Sequence, residues 1–300
     1  MELPPTTRWP TLRGYPDRGD PYRRFLYRYH AMLDRWPAAT TEHLDSRFGR
    51  TAVTVAGPPD ARPLVLLHGS GATSTIWYAL AGLLARRYRI FAIDRLGDAG
   101  LGGADLPLRT GADLLNWLTG VLDGCGVDRA AVAGHGSGGW LALRYALAAP
   151  DRVSALALLD PVDCFGRPRA GYRSREFALT FASTPGRARA LVRWESTGVP
   201  VDEDWLELFA AGTGVPRQLP PRQPRPSAAE LRELTAPTLI MLAGMSRVND
   251  ARRTRLAALR RLPSAEVAVI GHASHHSLPY QPAGEVAARL SGFLGRAVGS

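Results

Sequence analysis

The chain contains no lysine, so all of its basic residues are arginine. Lysine and arginine together number 37 against 27 acidic residues, which leaves a formal net charge of +10. This balance raises the question of a nucleic-acid partner. The arginines are scattered, however, and accompany no nucleic-acid-binding motif. Together with abundant alanine, glycine and proline, they indicate a coding bias and a solvated surface, and we expect no nucleic-acid partner.

Cysteine and long apolar runs are also scarce. Cys125 and Cys164 are the two cysteines, and they suggest neither a disulfide framework nor a cysteine metal site. No run of about 18 apolar residues is present, so we expect no membrane span. The first ten residues lack the charged-then-apolar order of a signal peptide, and the expectation is therefore a cytoplasmic protein. We expect no metal and no cofactor.

Short apolar runs alternate with segments of helical periodicity along most of the chain. This alternation predicts a mainly parallel sheet with helices on both faces. An amphipathic helix that contains Tyr22, Tyr29 and Met32 is expected before the first strand. Strands are predicted at 51–56, 63–67, 88–93, 129–133, 153–159, 237–242 and 265–270.

The alternation of apolar runs and helical segments is interrupted between residues 162 and 236. A gap of this length is too long for a plain loop in a compact domain. We therefore predict that 1–161 and 237–300 form a core domain and that 162–236 form a helical cap inserted into it.

Ligands of parallel sheets bind outside the carboxyl ends of the strands, where the turns after residues 67, 135, 159, 243 and 270 are expected. One of these turns lies in the stretch from Val132 to Trp140, which reads V-A-G-H-G-S-G-G-W. It is similar to the G-x-S-x-G turn that presents a nucleophilic serine between a strand and a helix. In this frame Gly136 stands where the serine is expected.

The order of these parts resembles that of the α/β-hydrolase superfamily, and specifically its bacterial carboxylesterase-like members. The resemblance rests on His68-Gly69 after a strand, the motif from Asp94 to Gly100, the turn at 134–139, Gly244, and the histidine-rich turn before the last helix. It implies the α/β-hydrolase fold with a helical cap and a degenerate catalytic triad.

A hydrolase of this family uses a nucleophile, a histidine and an acid that orients the histidine. His275 lies seven residues before Pro282, a spacing similar to the family's turn, and the adjacent His276 is the alternative. Arginine stands at the acid's place, Arg247. Asp160 and Asp250 both remain candidates for the acid.

The resemblance also implies oxyanion donors, which are the backbone N–H groups of Ser137 and of Ser70 or Gly71. Ser137 is expected to begin a helix rather than to act as the nucleophile, because the bulky His135 lies two residues before it. Trp77 and Trp140 are expected to shape the substrate pocket.

Without a serine at position 136, the leading hypothesis is a non-hydrolytic enzyme of specialised metabolism that acts on a hydrophobic small molecule. Its histidine would carry acid–base chemistry such as cyclisation, C–C bond formation, elimination or cofactor-free oxygenation. One alternative is an esterase-like hydrolase that uses Ser137 or an activated water. The other alternative is a non-catalytic binding protein.

Overall fold

The structure is a computed structural model that describes residues 21–196, 198–218, 221 and 224–299. Residues 1–20 of the predicted core segment therefore lie outside the described residues, as do residues 197, 219, 220, 222 and 223 of the predicted cap.

The strands of the described chain form a single sheet. They are β1 (Thr40–Ser46), β2 (Gly49–Ala56), β3 (Arg62–Leu67), β4 (Tyr88–Ile93), β5 (Gly103–Ala104), β6 (Ala130–His135), β7 (Val153–Leu159), β8 (Thr238–Ala243) and β9 (Glu266–Ile270). Their order across the sheet is β1-β2-β4-β3-β6-β7-β8-β9, with the short β5 paired to β2. The strands from β4 to β9 in this order are parallel, and β2 is antiparallel to its neighbours.

Helices cover both faces of the sheet. They are α1 (Pro21–Leu33), α2 (Tyr78–Leu84), α3 (Gly111–Gly124), α4 (Ser137–Ala148), α5 (Ala170–Phe181), α6 (Pro185–Glu195), α7 (Glu203–Ala211), α8 (Ala228–Arg232), α9 (Ala251–Arg261) and α10 (Ala283–Gly299). Two apolar clusters fill the spaces between the sheet and these helices, one on each face. The predicted mainly parallel sheet between two helical layers is confirmed.

The register of the central strands decides which turns meet at the carboxyl edge. Leu67, the last residue of β3, lies opposite Gly134 of β6. His135, the last residue of β6, lies opposite Leu159 of β7. The turn after β3, the turn after β6 and Asp160 after β7 therefore meet at one point of this edge.

Between β7 and β8 the described chain forms the helices α5 to α8. Helix α7 packs against both α6 and α1. Helix α1 is also anchored to the sheet, because the hydroxyl of its Tyr29 donates a hydrogen bond of 2.9 Å to Asp94. Among the described helices, none combines the length and apolar character that a bilayer span requires.

Candidate active site

The turn between β6 and α4 is held in shape by close backbone contacts. Gly136 has φ 56° and ψ −118°, a conformation that favours glycine. A Cβ on Gly134 would lie 2.3 Å from the carbonyl oxygen of Gly138, and one on Gly138 would lie 2.3 Å from that of Leu67. The turn therefore requires glycine two residues before and two residues after position 136.

His275 lies directly over Gly136. A Cβ on Gly136 would be 3.1 Å from Nε2 of His275. Nδ1 of His275 donates a hydrogen bond of 2.7 Å to Oδ2 of Asp160, which is fully buried at the end of β7. Asp160 is in turn held by the hydroxyl of Ser246, which donates to the same oxygen at 2.9 Å. Of the two candidate acids, the structure thus brings Asp160 to the histidine.

Asp250, the other candidate acid, is not part of this arrangement. Its carboxylate accepts a hydrogen bond of 3.0 Å from the backbone N–H of Arg253 and so caps the first turn of α9. It also forms an ion pair with Arg169 at 3.4 Å. The prediction of a catalytic role for Asp250 is corrected, because its carboxylate is already used to begin a helix.

Ser137 is the first residue of α4, as expected. Its Oγ lies 2.9 Å from Oγ of Ser70 and accepts a hydrogen bond of 3.2 Å from Nη1 of Arg95. Arg95 is itself nearly buried and paired with Asp98. In the part of the chain that the structure describes, these hydrogen bonds direct the hydroxyl of Ser137 toward Ser70 and Arg95 rather than toward His275.

The predicted oxyanion donors lie beside one another. Ser70 and Gly71, which has φ 75°, form the turn after β3, and Ser137 begins α4. The first N–H groups of a helix have no acceptor within the helix, and the helix dipole favours negative charge there. All three residues line the same cavity as His275. Their role as oxyanion donors stays a prediction.

The cavity at this edge of the sheet has a volume of about 930 Å³. Its walls come from the core turns and from the segment between β7 and β8. The apolar part of the lining includes Ile76, Val162, Leu179, Leu191, Trp205 and Phe209. The polar part includes His275, His276, Tyr172, Arg173, Glu176 and Arg217.

Trp77 and Trp140 do not line this cavity, which corrects the prediction that they shape the pocket. Trp77 is fully buried in the apolar cluster on one face of the sheet. Trp140 belongs to the cluster on the other face, and its indole N–H donates a hydrogen bond of 3.0 Å to the carbonyl of Pro224. Both side chains are buried core residues and do not shape the pocket.

A second histidine–carboxylate pair lies next to the first. Nδ1 of His276 donates a hydrogen bond of 2.9 Å to Oε2 of Glu195, the last residue of α6. Glu195 is fully buried. Glu195 is not among the predicted site residues, because it belongs to the insertion and no motif accompanies it.

Burial and hydrogen bonding shift the pKa values of the two histidines in opposite directions. Burial by itself lowers the pKa of His275, but the hydrogen bond and charge of Asp160 outweigh it, so its pKa lies above the ordinary 6.5. For His276 burial outweighs the opposing influence of Glu195, and its pKa lies below 6.5. Burial would raise the pKa of Glu195, but hydrogen bonds and charge from His276 keep it below its ordinary value.

A third histidine, His135, closes the base of the site. Its Nε2 donates a hydrogen bond of 2.9 Å to the carbonyl oxygen of His275. Burial holds its pKa well below 6.5. His135 is thus a neutral support for the His275 backbone. Across the described residues, no group of three histidine, cysteine or carboxylate side chains is arranged to hold a metal ion.

Comparisons with known proteins identify the family. The model of the Alpha/beta hydrolase family matches residues 64–289, and the chain belongs to this family. The chain is 30% identical to the uncharacterized carboxylesterase nap of Bacillus subtilis (strain 168), over 89% of this chain and 91% of that protein.

Two solved structures from the same organism are also similar. The crystal structure of naproxen esterase from Bacillus subtilis matches with a TM-score of 0.82 and 28% identity, over 93% of this chain and 100% of that chain. The crystal structure of carboxylesterase CesB from Bacillus subtilis matches with a TM-score of 0.84 and 25% identity, over 90% of this chain and 97% of that chain.

These relatives correct the leading functional hypothesis. The prediction of a non-hydrolytic enzyme of specialised metabolism is wrong, because the similar proteins are named carboxylesterases. They favour an enzyme over a binding protein, and they support the alternative of an esterase-like hydrolase. The absence of serine at one position was too narrow a basis for rejecting hydrolysis.

Proposed function

We propose that this protein is an esterase-like hydrolase that cleaves carboxylic esters of hydrophobic small molecules, with water as the attacking group. The observation that carries the proposal is the position of His275 Nε2, 3.1 Å from where a side chain on Gly136 would begin. The imidazole that serves a nucleophile in this family is thus oriented by a buried acid and aimed at the reaction position. Gly136 itself offers no reactive group there.

Water is preferred over Ser137 as the nucleophile because of the hydrogen bonds that Ser137 makes. A serine is activated by a histidine within hydrogen-bonding distance of its hydroxyl. Oγ of Ser137 instead lies near Ser70 and Arg95. Arg95 donates to this oxygen and competes for the lone pair that would attack.

In the proposed reaction, water forms a bond to the ester carbonyl carbon and the carbonyl oxygen becomes an oxyanion. The N–H groups of Ser137 and of Ser70 or Gly71 hold that oxyanion. The bond to the alcohol oxygen then breaks, and the carboxylic acid and the alcohol are released. One proton of the water is transferred to the alcohol oxygen by way of the histidines that line the cavity. Asp160 keeps the imidazole of His275 in one orientation throughout.

The cavity lining supports an apolar substrate of moderate size. Pockets of roughly 300–1,000 Å³ with mostly apolar walls are typical of small-molecule sites, and this cavity of about 930 Å³ is at the upper end. Trp205 and Phe209 of α7 and Leu191 of α6 contribute apolar wall. We therefore propose that 162–236 act as the cap that selects the substrate.

Hydrolysis of p-nitrophenyl and ethyl esters with acyl chains of increasing length tests the proposal. We expect turnover by the wild-type protein and, on the ethyl esters, a loss of about 100-fold or more in kcat for His275→Gln and for Asp160→Asn, because each disables proton transfer. His272→Gln is the matched control, since His272 belongs to the same turn and is exposed.

Two results would contradict the proposal. One is the absence of any ester turnover across the panel. The other is a wild-type rate on the ethyl esters in both His275→Gln and Asp160→Asn. A serine-directed phosphonate tests the nucleophile separately. We expect no adduct by intact-mass measurement, and an adduct on Ser137 would replace water by Ser137 in the mechanism.

A further inference from the structure

We propose that His276, held by Glu195, is a second catalytic residue in this cavity, and that it divides the two proton transfers of hydrolysis with His275. His276 accepts a proton from the attacking water, and His275 donates a proton to the departing alcohol oxygen. The inference rests on the proposed function, since it assigns roles within that reaction.

The first observation is the parallel construction of the two pairs. Each histidine donates from Nδ1 to a fully buried carboxylate, Asp160 for His275 and Glu195 for His276. The two rings have centroids 5.2 Å apart and are nearly perpendicular, at 84°. Both residues line the same cavity. With Nδ1 engaged, each histidine has Nε2 left for the substrate side.

The two carboxylates differ in how many donors they already have. Glu195 accepts from Nδ1 of His276 at 2.9 Å and from the backbone N–H groups of His275 at 2.9 Å, His276 at 3.2 Å and Arg247 at 3.3 Å. The hydroxyl of Ser196 lies at 3.4 Å. The negative charge of Glu195 is therefore spread over several donors, and less of it is available to stabilise a positive charge on His276.

The negative charge of Asp160 is shared among fewer donors than that of Glu195, so more of it acts on His275. Oδ2 accepts from His275 and Ser246. Oδ1 is buried and has no hydrogen-bond partner within the described chain. A buried carboxylate with one unpartnered oxygen strongly favours a neighbouring cation. A single proton shared by the two imidazoles therefore resides on His275 and leaves His276 neutral.

The pKa directions agree with this division, since that of His275 is raised and that of His276 is lowered. Neighbouring groups whose environments move their pKa values apart are suited to opposite roles as acid and base. The neutral His276, with its hydrogen on Nδ1, presents a lone pair at Nε2. The protonated His275 presents an N–H at Nε2 beside Gly136.

The proposed step balances in atoms and charge. An O–H bond of water breaks, its proton moves to Nε2 of His276, and the oxygen forms a bond to the carbonyl carbon. The bond from that carbon to the alcohol oxygen breaks, and Nε2 of His275 supplies the proton of the released alcohol. The proton then returns from His276 to His275, which restores the starting state without a nucleophilic side chain at position 136.

Other ionisable groups surround the pair, and the pH dependence belongs to the whole cluster. The fully buried His135 packs against His275, with ring centroids 4.5 Å apart. The groups that face the pair from the packed elements are Asp160, Tyr172, Glu176, Glu195 and His135.

The leaving group distinguishes the two roles. A p-nitrophenolate leaves without a proton, whereas an alkyl alcohol needs one. We expect His276→Gln to lower kcat by about 100-fold on p-nitrophenyl and ethyl esters of the same acid alike, the usual size of a lost general base. His275→Gln is expected to lose at least about tenfold more on the ethyl ester than on the p-nitrophenyl ester.

The pH profile of kcat/KM supplies a readout that a structural role would not change. We expect a bell-shaped profile. Its acid limb lies below pH 6.5, where His276 becomes protonated, and its alkaline limb lies above pH 6.5, where His275 loses its proton. His276→Gln should remove the acid limb and retain the alkaline one. Glu195→Gln, which changes a positioning residue, should shift the acid limb without removing it.

The controls separate misfolding from loss of the base. His272→Gln changes an exposed histidine of the same turn and should match the wild type. Added imidazole should partly restore His276→Ala, which an unfolded variant would not allow. The inference is overturned if His276→Gln keeps the wild-type rate and both limbs, or if its defect is confined to KM. Ester turnover that depends on His275 alone would retain the proposed function, whereas no turnover at all would remove both.

Discussion

At the scale of single residues, Gly136 changes what the turn after β6 can do. The family's nucleophile would stand at this position, and the chain has hydrogen there instead. The neighbouring backbone donors need no particular side chain, so the loss at Gly136 leaves the rest of the turn in place. What matters chemically is the space in front of His275 Nε2.

Replacement of Gly136 by alanine and by serine forms a matched pair. A Cβ there would lie 3.1 Å from Nε2 of His275, so Gly136→Ala should occupy the place of a reacting oxygen and lower ester hydrolysis about tenfold or more. Gly136→Ser adds a hydroxyl on the same Cβ and should react with a serine-directed phosphonate.

Intact mass and steady-state rates check both variants. The positive φ of 56° makes either substitution strained, at about 1–3 kcal/mol, so melting temperatures must accompany the rates. Undiminished hydrolysis by Gly136→Ala would argue against a reacting oxygen at this position. Gly136→Ser without labelling would show that His275 cannot activate a hydroxyl there.

At the scale of elements, the contact between β6 and α4 depends on glycines that the motif predicts. Gly134 and Gly138 face backbone atoms of neighbouring elements, which cannot move aside as a side chain can. The same close approach brings the first N–H groups of α4 to the cavity. The packing of β6 on α4 and the position of the N–H groups predicted to bind an oxyanion are therefore two results of one contact.

Alanine at Gly134 or Gly138 should destabilise the protein by several kcal/mol, because a Cβ would lie 2.3 Å from a carbonyl oxygen in each case. Gly120 of α3 is the control, since a Cβ there has nothing within 4 Å. Gly120→Ala should stabilise the helix by about 0.5–1 kcal/mol. Urea unfolding measures all three, and equal effects would contradict this account of the turn.

At the scale of the whole molecule, Glu195 connects the insertion to the core. It ends α6, and its carboxylate accepts from the backbone of the turn that carries His275 and His276. These hydrogen bonds join α6 of the insertion to the turn that carries His275 and His276, and displacement of α6 would leave a buried carboxylate without its donors. Removing the partners of a buried charge strongly destabilises a protein.

This connection predicts how stability depends on pH. The pKa of Glu195 is lowered in the folded state from its ordinary 4.5, so its contribution is present above pH 4.5 and is lost as the pH falls toward the folded-state pKa. Glu195→Gln should lower the free energy of unfolding at pH 7 by about 3–5 kcal/mol. It should also flatten the decline of stability below pH 4.5.

Denaturant unfolding from pH 3 to pH 7 measures this difference. Glu233→Gln is a control carboxylate, because Glu233 is exposed at the end of α8. Parallel curves for the wild type and Glu195→Gln below pH 4.5 would show that folding does not lower the pKa of Glu195.

The sequence by itself determined the mainly parallel sheet, the strand-to-helix turn at Gly136, the histidine turn at 275 and 276, and the presence of helices between β7 and β8. These are local properties, since apolar periodicity and glycine spacing act over a few residues. The exposed strand β1 escaped prediction because its alternation is polar. The functional hypothesis failed because it gave the single position Gly136 more importance than the family resemblance.

Only the tertiary structure decided which acid serves which histidine. Asp160 and Asp250 were equal candidates along the chain, yet the strand register brings Asp160 to His275 and helix capping engages Asp250. Glu195 reaches His276 from 81 positions away. Such partners depend on how distant elements pack, and a short stretch of sequence does not contain that information. The carboxylates that govern the two histidines are therefore a property of the folded molecule.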